Sequence, residues 1–202
     1  MIERKENKVK KSDETRERIL QAFSQCIVNA GYAQTKLTDI AEEAGLATPH
    51  LRYYFKNKES ILEHQYERVV ARFQDRVQDI SAASPRAWFD AYIKLIFDAG
   101  SRSLAGRLIL IEGNVLVARS SRMKAVKRKY DAHMLKTLEA QFDRAGVDDP
   151  VQSAAVTFHF LTGLILNTAF APKARQKEET AMARSFVRQL LQTQTSAANE
   201  RC

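Results

Sequence analysis

The chain has 202 residues, of which 45% are hydrophobic, and its formal net charge is +8 at pH 7. This length allows one or two domains with their own cores, and the hydrophobic content argues against a disordered chain. The positive charge suits a polyanionic partner, either nucleic acid or an anionic membrane surface, without choosing between them.

The two cysteines, Cys26 and Cys202, match no metal-ligand spacing and do not suggest a disulfide framework, which favours a reducing compartment. The N-terminal stretch MIERKENKVKKSDE is charged and contains no hydrophobic signal segment. The apolar run FHFLTGLILNTAF, residues 158–170, is too short and too interrupted to span a bilayer. We therefore expect a cytoplasmic protein with no membrane partner.

Helix-forming residues dominate the chain, and no alternating strand pattern lies between turn signals. The sequence therefore predicts an all-α fold with about nine helices. Residues 1–11 are predicted to be a disordered basic tail. The first helix then begins at Ser12 or Asp13 and ends at Gly31.

Two short helices are predicted next. The first lies near residues 37–44 and is stopped by Gly45. The second lies near residues 49–55, and it follows a side-chain cap, Thr48, and a proline, Pro49, whose missing N–H costs nothing at a helix start.

Longer amphipathic helices follow residue 57. The first runs over about residues 58–82, and Ser84 with Pro85 opens the next. Four more are predicted over about residues 108–119, 123–145, 149–171 and 178–193.

Two short helices joined by a tight glycine turn, with a further helix behind them, form a helix-turn-helix pattern. Ile40, Ala41 and Leu51 can hold the two short helices together, so the second helix turns its polar face outward. Such a helix fits the major groove of DNA, where side chains contact base edges. Base readout is predicted for Thr38, Thr48, Pro49, His50 and Arg52, and phosphate contacts for Thr35, Lys36, Tyr53, Tyr54 and Lys58.

The stretch TRERILQAFSQCIVNAGYAQTKLTDIAEEAGLATPHLRYYFKNKESIL, residues 15–62, resembles the DNA-binding domain of the TetR family of transcriptional regulators. The shared marks occur in order and without gaps over about a quarter of the chain. They include Gly31-Tyr32, Asp39-Ile40-Ala41, Ala44-Gly45 and Lys58-Glu59.

The resemblance implies a helix-turn-helix DNA-binding domain over residues 12–57 and a helical effector-binding and dimerisation domain over residues 58–195, followed by a disordered tail over residues 196–202. It also implies a homodimer formed by the last two long helices and a small-molecule effector bound among the middle helices. Effector binding would shift the fourth helix and lower the affinity for the DNA operator.

Aromatic residues and polar residues within apolar helices are candidates for the effector pocket, although helical spacing makes most of the aromatic ones core residues by default. Gly163 costs its apolar helix about 1 kcal/mol relative to Ala, which close approach across a dimer seam would explain. The pocket candidates are Trp88, Tyr92, Asn114, Tyr130, Phe158, His159 and Thr162. The dimer candidates are Gly163, Asn167, Phe186, Val187, Leu190 and Leu191, with Thr162 and Asn167 able to serve either role.

The sequence departs from the family pattern at two places. The family often has Ser where Ala47 stands and Gly where Pro49 stands, so Thr48-Pro49 replaces that cap with another. Arg52 stands where Tyr is usual. The tyrosine role can pass to Tyr53, or Arg52 can bind guanine O6 and N7, a contact worth about 1–3 kcal/mol of base discrimination.

The predicted function is a homodimeric DNA-binding regulator, a repressor released from a palindromic operator in double-stranded DNA by a small-molecule effector. The alternative is a DNA-binding regulator without such an effector, controlled by a protein partner. The sequence contains no catalytic motif, metal-ligand spacing or cofactor motif, so we expect neither an enzyme nor a bound cofactor. A basic membrane-surface protein is a further alternative that the helix-turn-helix pattern disfavours.

Overall fold

The computed structural model describes residues 2–97, 104–168 and 173–192. Within these residues it contains nine α-helices and no strand, which confirms the predicted all-α fold. The predicted C-terminal tail, residues 196–202, lies outside the described residues. The helices are α1 (Ile2–Gln34), α2 (Leu37–Glu43), α3 (Thr48–Tyr54), α4 (Lys58–Gln78), α5 (Pro85–Phe97), α6 (Leu104–Val117), α7 (Ser121–Arg144), α8 (Pro150–Thr168) and α9 (Lys173–Gln192).

The first helix differs from its prediction at the N-terminal end. It begins at Ile2, although residues 1–11 were expected to form a disordered tail. This stretch is rich in Lys and Glu and contains neither Gly nor Pro, so its helix propensity is high. The helix breaks at Gly31, where φ is 78° and ψ is 160°, a conformation that glycine adopts far more easily than other residues.

The start of α3 corrects the predicted cap. Ala47 occupies the cap position with an extended backbone, whereas Thr48 and Pro49 are the first two helical residues. The N–H groups of a first helical turn have no partner within the helix, so proline is tolerated at the second position as well. The cap prediction for Thr48 is therefore wrong by one residue.

The described chain divides into two compact units. The first comprises Met1–Val69 and Leu104–Met123, and the second Val70–Ser103 and Lys124–Cys202. Both contain part of α4, which the sequence assigned whole to the second domain. The predicted functional boundary at residue 57 stays a prediction.

The first unit encloses a core contributed by α1, α2, α3 and α4. Among its buried residues, the following five are each at most 1% exposed: Ile19, Phe23, Ile40, Leu51 and Ile61. In the second unit, α5 and α8 both pack against α9. Its core includes Phe89 and Phe142, whose ring centres are 4.6 Å apart.

The described residues include neither a membrane-spanning helix nor a cluster of metal ligands. None of their helices combines the length and the apolarity needed to cross a membrane. They also contain no group of three or more His, Cys, Asp or Glu side chains arranged to hold a metal ion.

Candidate functional site

The turn between α2 and α3 is closed by backbone hydrogen bonds. The N–H of Gly45 donates to the carbonyl oxygen of Glu42 at 2.9 Å, and that of Leu46 donates to Ala41 at 2.8 Å. Gly45 has a φ of 63°, which this pattern of helix ending requires. The turn therefore fixes the direction in which α3 leaves α2.

Packing orients α3 with one face inward. Leu51 is 0% exposed, and Phe55 just after the helix is 6% exposed, so both lie in the core of the first unit. On the opposite face His50 and Arg52 are exposed, and the side chain of Tyr53 is 81% exposed. A tyrosine left this open contributes little to packing in its own unit.

The aromatic residues of α3 contact each other along its surface. The ring of Tyr54 lies 5.2 Å from that of Tyr53 at an interplanar angle of 86°, and 5.5 Å from the ring of His50. Tyr54 is half-buried, so it supports the more exposed rings. Pro49 is exposed and Thr48 half-buried at the start of the same helix.

Two candidates for DNA contact, Lys36 and Thr38, are exposed at the start of α2. Both residues donate hydrogen bonds to the carboxylate of Asp39. The backbone N–H of Lys36 donates to Asp39 Oδ2 at 2.8 Å, and the hydroxyl of Thr38 donates to Asp39 Oδ1 at 3.2 Å. An acidic residue in the first turn also suits the helix dipole. The Lys36 ammonium is thereby carried on an ordered backbone at the surface.

Thr35 and Lys58 bind backbone carbonyls of their own unit. Thr35 is 2% exposed, and its hydroxyl donates to the carbonyl oxygen of Gly31 at 2.8 Å. The ammonium of Lys58 donates to the carbonyl oxygens of Tyr32 at 2.6 Å and Thr35 at 2.8 Å. The structure gives both side chains a positioning role at the end of α1, and their phosphate contacts stay predictions.

Burial shifts the pKa of two titratable groups near this site. It raises the pKa of Tyr32 to about 12, with smaller contributions from Glu59 and Glu112, so the phenol is neutral. It lowers the pKa of His64, whose ring lies 5.8 Å from that of Phe55. Sequence reasoning gave His64 no specific role.

A contact between α4 and α6 was also missed by sequence reasoning. Tyr66 is 1% exposed, and its ring covers Gly113, where a Cβ atom would clash with the ring carbon Cδ2. The Tyr66 hydroxyl donates to Asn114 Oδ1 at 3.3 Å. Asn114, predicted for the effector pocket, thus lies in the first unit as a partner of α4.

The junction between α6 and α7 holds α4 at two more points. The hydroxyl of Ser120 donates to Glu63 Oε1 at 2.7 Å. Arg122 donates through Nε and Nη2 to the two carboxylate oxygens of Glu67, each at 2.9 Å. A displacement of α6 would therefore act on the helix that begins immediately after α3.

The remaining effector candidates lie in the second unit, where the aromatic ones belong to its hydrophobic core or pack against it. Trp88 and Tyr92 are buried and stacked, with ring centres 5.1 Å apart, and Phe158 is also buried. The hydroxyl of Thr162 donates to the carbonyl oxygen of Phe158 at 2.7 Å within its own helix. Tyr130 packs against the same core, whereas His159 is exposed.

The dimer candidates divide between surface and core. Gly163 and Asn167 on α8 are exposed, whereas Val187 on α9 is 2% exposed. The partly buried Phe186, Leu190 and Leu191 also pack against the core of their own unit.

Other apolar side chains do face outward on α8 and α9. Val156 is 45% exposed, Leu166 44% and Met182 51%. Val156, His159, Gly163 and Leu166 follow one another at helical spacing and form what we call the α8 stripe.

These features define a helix-turn-helix DNA-binding protein: two short helices fixed by a glycine turn, with the second helix turned outward from a packed core. Residues 19–64 match the family described as "Bacterial regulatory proteins, tetR family". The first unit therefore carries a DNA-binding domain of the TetR family of transcriptional regulators.

A curated relative matches part of the chain. Over a segment of 61 residues the chain is 34% identical to the fatty acid metabolism regulator protein of Bacillus subtilis (strain 168). This segment covers 30% of the present chain and 31% of the relative. The match thus spans about a third of the relative's length.

Solved structures match nearly the whole chain. A transcriptional regulator from Rhodococcus sp. Rha1 is similar with a TM-score of 0.78 and 16% identity, over 88% of this chain and 96% of that one. A TetR transcription regulator from Haloarcula marismortui ATCC 43049 has a TM-score of 0.73 and 19% identity, over 90% and 98% of the two chains. At these identities the likeness establishes the shared fold.

Proposed function

We propose that this chain forms a homodimeric repressor that binds a palindromic operator in double-stranded DNA and is released from it by a small-molecule effector. The observation that carries the DNA-binding part is the orientation of α3. Its buried residue, Leu51, fixes the helix, while His50, Arg52 and Tyr53 lie on the open side. A rigid helix with a basic and aromatic outer face suits the major groove.

Base readout in this proposal centres on Arg52. A guanidinium can donate two parallel hydrogen bonds to guanine O6 and N7, which no other base pair accepts in the same geometry. The exposed His50 and Pro49 enter the groove beside it, with Thr48 and Thr38 at its edges.

Phosphate contacts fall to exposed groups that flank α3. The phenol of Tyr53 can donate to a phosphate oxygen, and the ammonium of Lys36 can neutralise a phosphate charge. Tyr54 is less open and contributes by holding the ring of Tyr53 at 5.2 Å. Binding should weaken steeply with salt because such contacts release counterions.

Dimerisation in this proposal uses the α8 stripe together with Met182 of α9. Exposed apolar side chains on two neighbouring helices, here Val156, Leu166 and Met182, are a common mark of an association surface. Among the described residues, nothing lies within 4 Å of a Cβ placed at Gly163, so a helix of a second copy can approach closely there. Two linked copies can bind a palindrome with the sum of both contacts.

An effector site in the second unit is supported by buried polar atoms that lack hydrogen-bond partners among the described residues. They are His133 Nε2 on α7, Thr157 Oγ1 on α8 and Glu179 Oε2 on α9. A buried polar group without a partner is costly, so a bound molecule that supplies partners would be favoured. Ser120 and Arg122 are hydrogen-bonded to α4, so effector binding that displaced them would also displace the helix that follows α3.

The test is selection of bound duplexes from a random DNA pool by the full chain, repeated with a panel of candidate metabolites. We expect enrichment of a palindrome and its loss with at least one metabolite. Enrichment of sites without two-fold symmetry would contradict the dimeric mode. A palindrome that no metabolite affects would instead favour control by a protein partner.

The dimer seam has a separate test. Gly163→Leu places a branched side chain where close approach is proposed and should lower the association constant measured by sedimentation equilibrium. Ala132→Leu, at an exposed position of α7, is the matched control and should leave association unchanged. Equal association by both variants would show that the seam lies elsewhere.

A further inference from the structure

A cavity of about 360 Å³ opens on the second unit where the N-terminal end of α5 lies near the C-terminal ends of α7 and α9. Three arginines line it, one from each helix: Arg86, Arg144 and Arg188. They are far apart in sequence, so the fold itself brings them together.

The cavity lining is positive and lacks internal compensation. Among the described residues it contains no carboxylate. Within the described part of the chain none of the three arginines forms an ion pair with an Asp or Glu, and Arg144 donates only to the neutral Gln141 Oε1, at 3.1 Å. Elsewhere Arg68 and Arg122 do pair with glutamates. Gathering like charges without a counterion is unfavourable, so an anion in the cavity would relieve it.

The ends of the helices add to this preference. The N-terminus of α5, a helix of 13 residues, carries partial positive charge beside Arg86. At the C-terminus of α7, two carbonyl oxygens already accept hydrogen bonds from the backbone, because Gly146 donates to Asp143 at 2.8 Å and Val147 donates to Phe142 at 3.1 Å. The partial negative charge at the C-terminus of α7, which would repel an anion, is therefore partly offset.

Apolar groups complete the lining, namely Pro85, Ala145 and Leu191. The cavity volume lies in the range of about 300–1,000 Å³ typical of small-molecule sites. Guanidinium groups bind carboxylates and phosphates through paired hydrogen bonds, and the apolar groups suit a short hydrocarbon or aromatic body.

We propose that the cavity formed by Arg86, Arg144 and Arg188 binds a small organic anion that carries a phosphate or carboxylate group on an apolar body. This site is separate from the buried polar atoms invoked for the effector, and it adds a second ligand position to the regulator.

The experiment is calorimetric titration of the full chain, without DNA, using phenyl phosphate, benzoate and uncharged benzyl alcohol as probes. We expect saturable binding of one or both anions and none of benzyl alcohol. The anion that binds more tightly distinguishes a phosphate site from a carboxylate site. Equal binding of benzyl alcohol would overturn the proposal, since recognition would then not depend on charge.

Variants locate the binding. Arg144→Gln and Arg188→Gln should each weaken anion binding at least tenfold, whereas Arg72→Gln, at an exposed position of α4, should leave it unchanged. Circular dichroism verifies that each variant is folded. If all three variants bind like the parent, or if only duplex DNA responds to the cavity variants, the site is not an anion pocket. Because no DNA is needed for binding, failure here leaves the operator-binding proposal intact.

Discussion

The ammonium of Lys58 donates a hydrogen bond of 2.6 Å to the carbonyl oxygen of Tyr32 and lies 4.3 Å from the centre of that residue's ring. One side chain at the start of α4 thus satisfies an end carbonyl of α1 and makes a cation–π contact. A cation at a helix C-terminus is favoured by the helix dipole. Lys58 therefore helps to set the position of α3 between α1 and α4.

The first prediction concerns Lys58→Ala. Removing charge-assisted hydrogen bonds from a half-buried site should lower the free energy of unfolding by about 1–2 kcal/mol. DNA binding should weaken for all duplexes alike, because α3 loses its support and no base contact changes. Chemical denaturation measures the first effect and titration of unrelated duplexes the second.

The neighbouring Lys56→Ala is the control for this prediction, since Lys56 is exposed. Its effect on stability should stay within about 0.5 kcal/mol. If Lys58→Ala kept full stability while reducing the salt dependence of DNA binding, Lys58 would be a phosphate ligand, as the sequence alone suggested.

The second prediction concerns Arg52→Ala. Loss of a bidentate contact to guanine should reduce discrimination at one base-pair position by about 1–3 kcal/mol and leave the other positions unaffected. Stability should change little because Arg52 is exposed. Binding measured against a set of single-base operator variants gives the profile.

Tyr53→Phe supplies the contrasting case, because it removes one hydroxyl from a side chain that is 81% exposed. It should weaken all operators equally, as expected for a phosphate contact. A Tyr53→Phe profile that changed at a single base, or an Arg52→Ala profile that fell uniformly, would reverse the roles assigned to the two residues.

Local signals predicted the geometry of α3 well. The spacing of Ile40, Ala41 and Leu51 indicated which side of the short helices is buried, and Gly45 marked the turn that joins them. These features depend on residues close in sequence, where periodicity and glycine conformation are informative.

Contacts between distant segments were not predictable in the same way. Nothing near Lys58 indicates that its ammonium binds carbonyls 23 and 26 residues earlier. The apolar helix around Asn114 predicts a pocket residue, whereas its hydrogen-bond partner is Tyr66, 48 residues away. The same pattern singles out Thr162, although its hydroxyl is satisfied within its own helix. A polar residue in an apolar helix therefore indicates only that a partner exists.

The third prediction concerns Gly113→Ala. The new methyl group would clash with Cδ2 of Tyr66, a side chain that is 1% exposed and hydrogen-bonded to Asn114. Overpacking of this kind costs about 1–3 kcal/mol, more than the roughly 1 kcal/mol that alanine gains over glycine in a helix. Chemical denaturation should therefore show a net loss of stability.

A double-mutant cycle with Tyr66→Ala checks the cause. If the clash with the ring is responsible, the double variant should be more stable than the sum of the single effects predicts, by about 0.5–3 kcal/mol. Strict additivity would mean that Gly113→Ala acts through the backbone and not through Tyr66.

The last prediction concerns pH and His64. Burial lowers the pKa of His64 below its ordinary value of 6.5, and the positive charges of Arg16, Arg68 and Arg122 lower it further, against an opposing effect of Glu67. Well above pH 6.5 the imidazole is neutral in both the folded and the unfolded chain and contributes no pH dependence. As the pH falls towards and below that value, the unfolded chain binds a proton more readily than the folded chain, so stability decreases.

His64→Gln should therefore flatten the decline of melting temperature between about pH 7 and pH 5, because glutamine does not titrate in this range. His50→Gln is the matched control, since His50 is exposed on α3. That variant should retain the slope of the parent protein. Parallel slopes for the parent and His64→Gln would mean that the acid sensitivity of this fold arises from other groups, and that burial of His64 does not oppose its protonation.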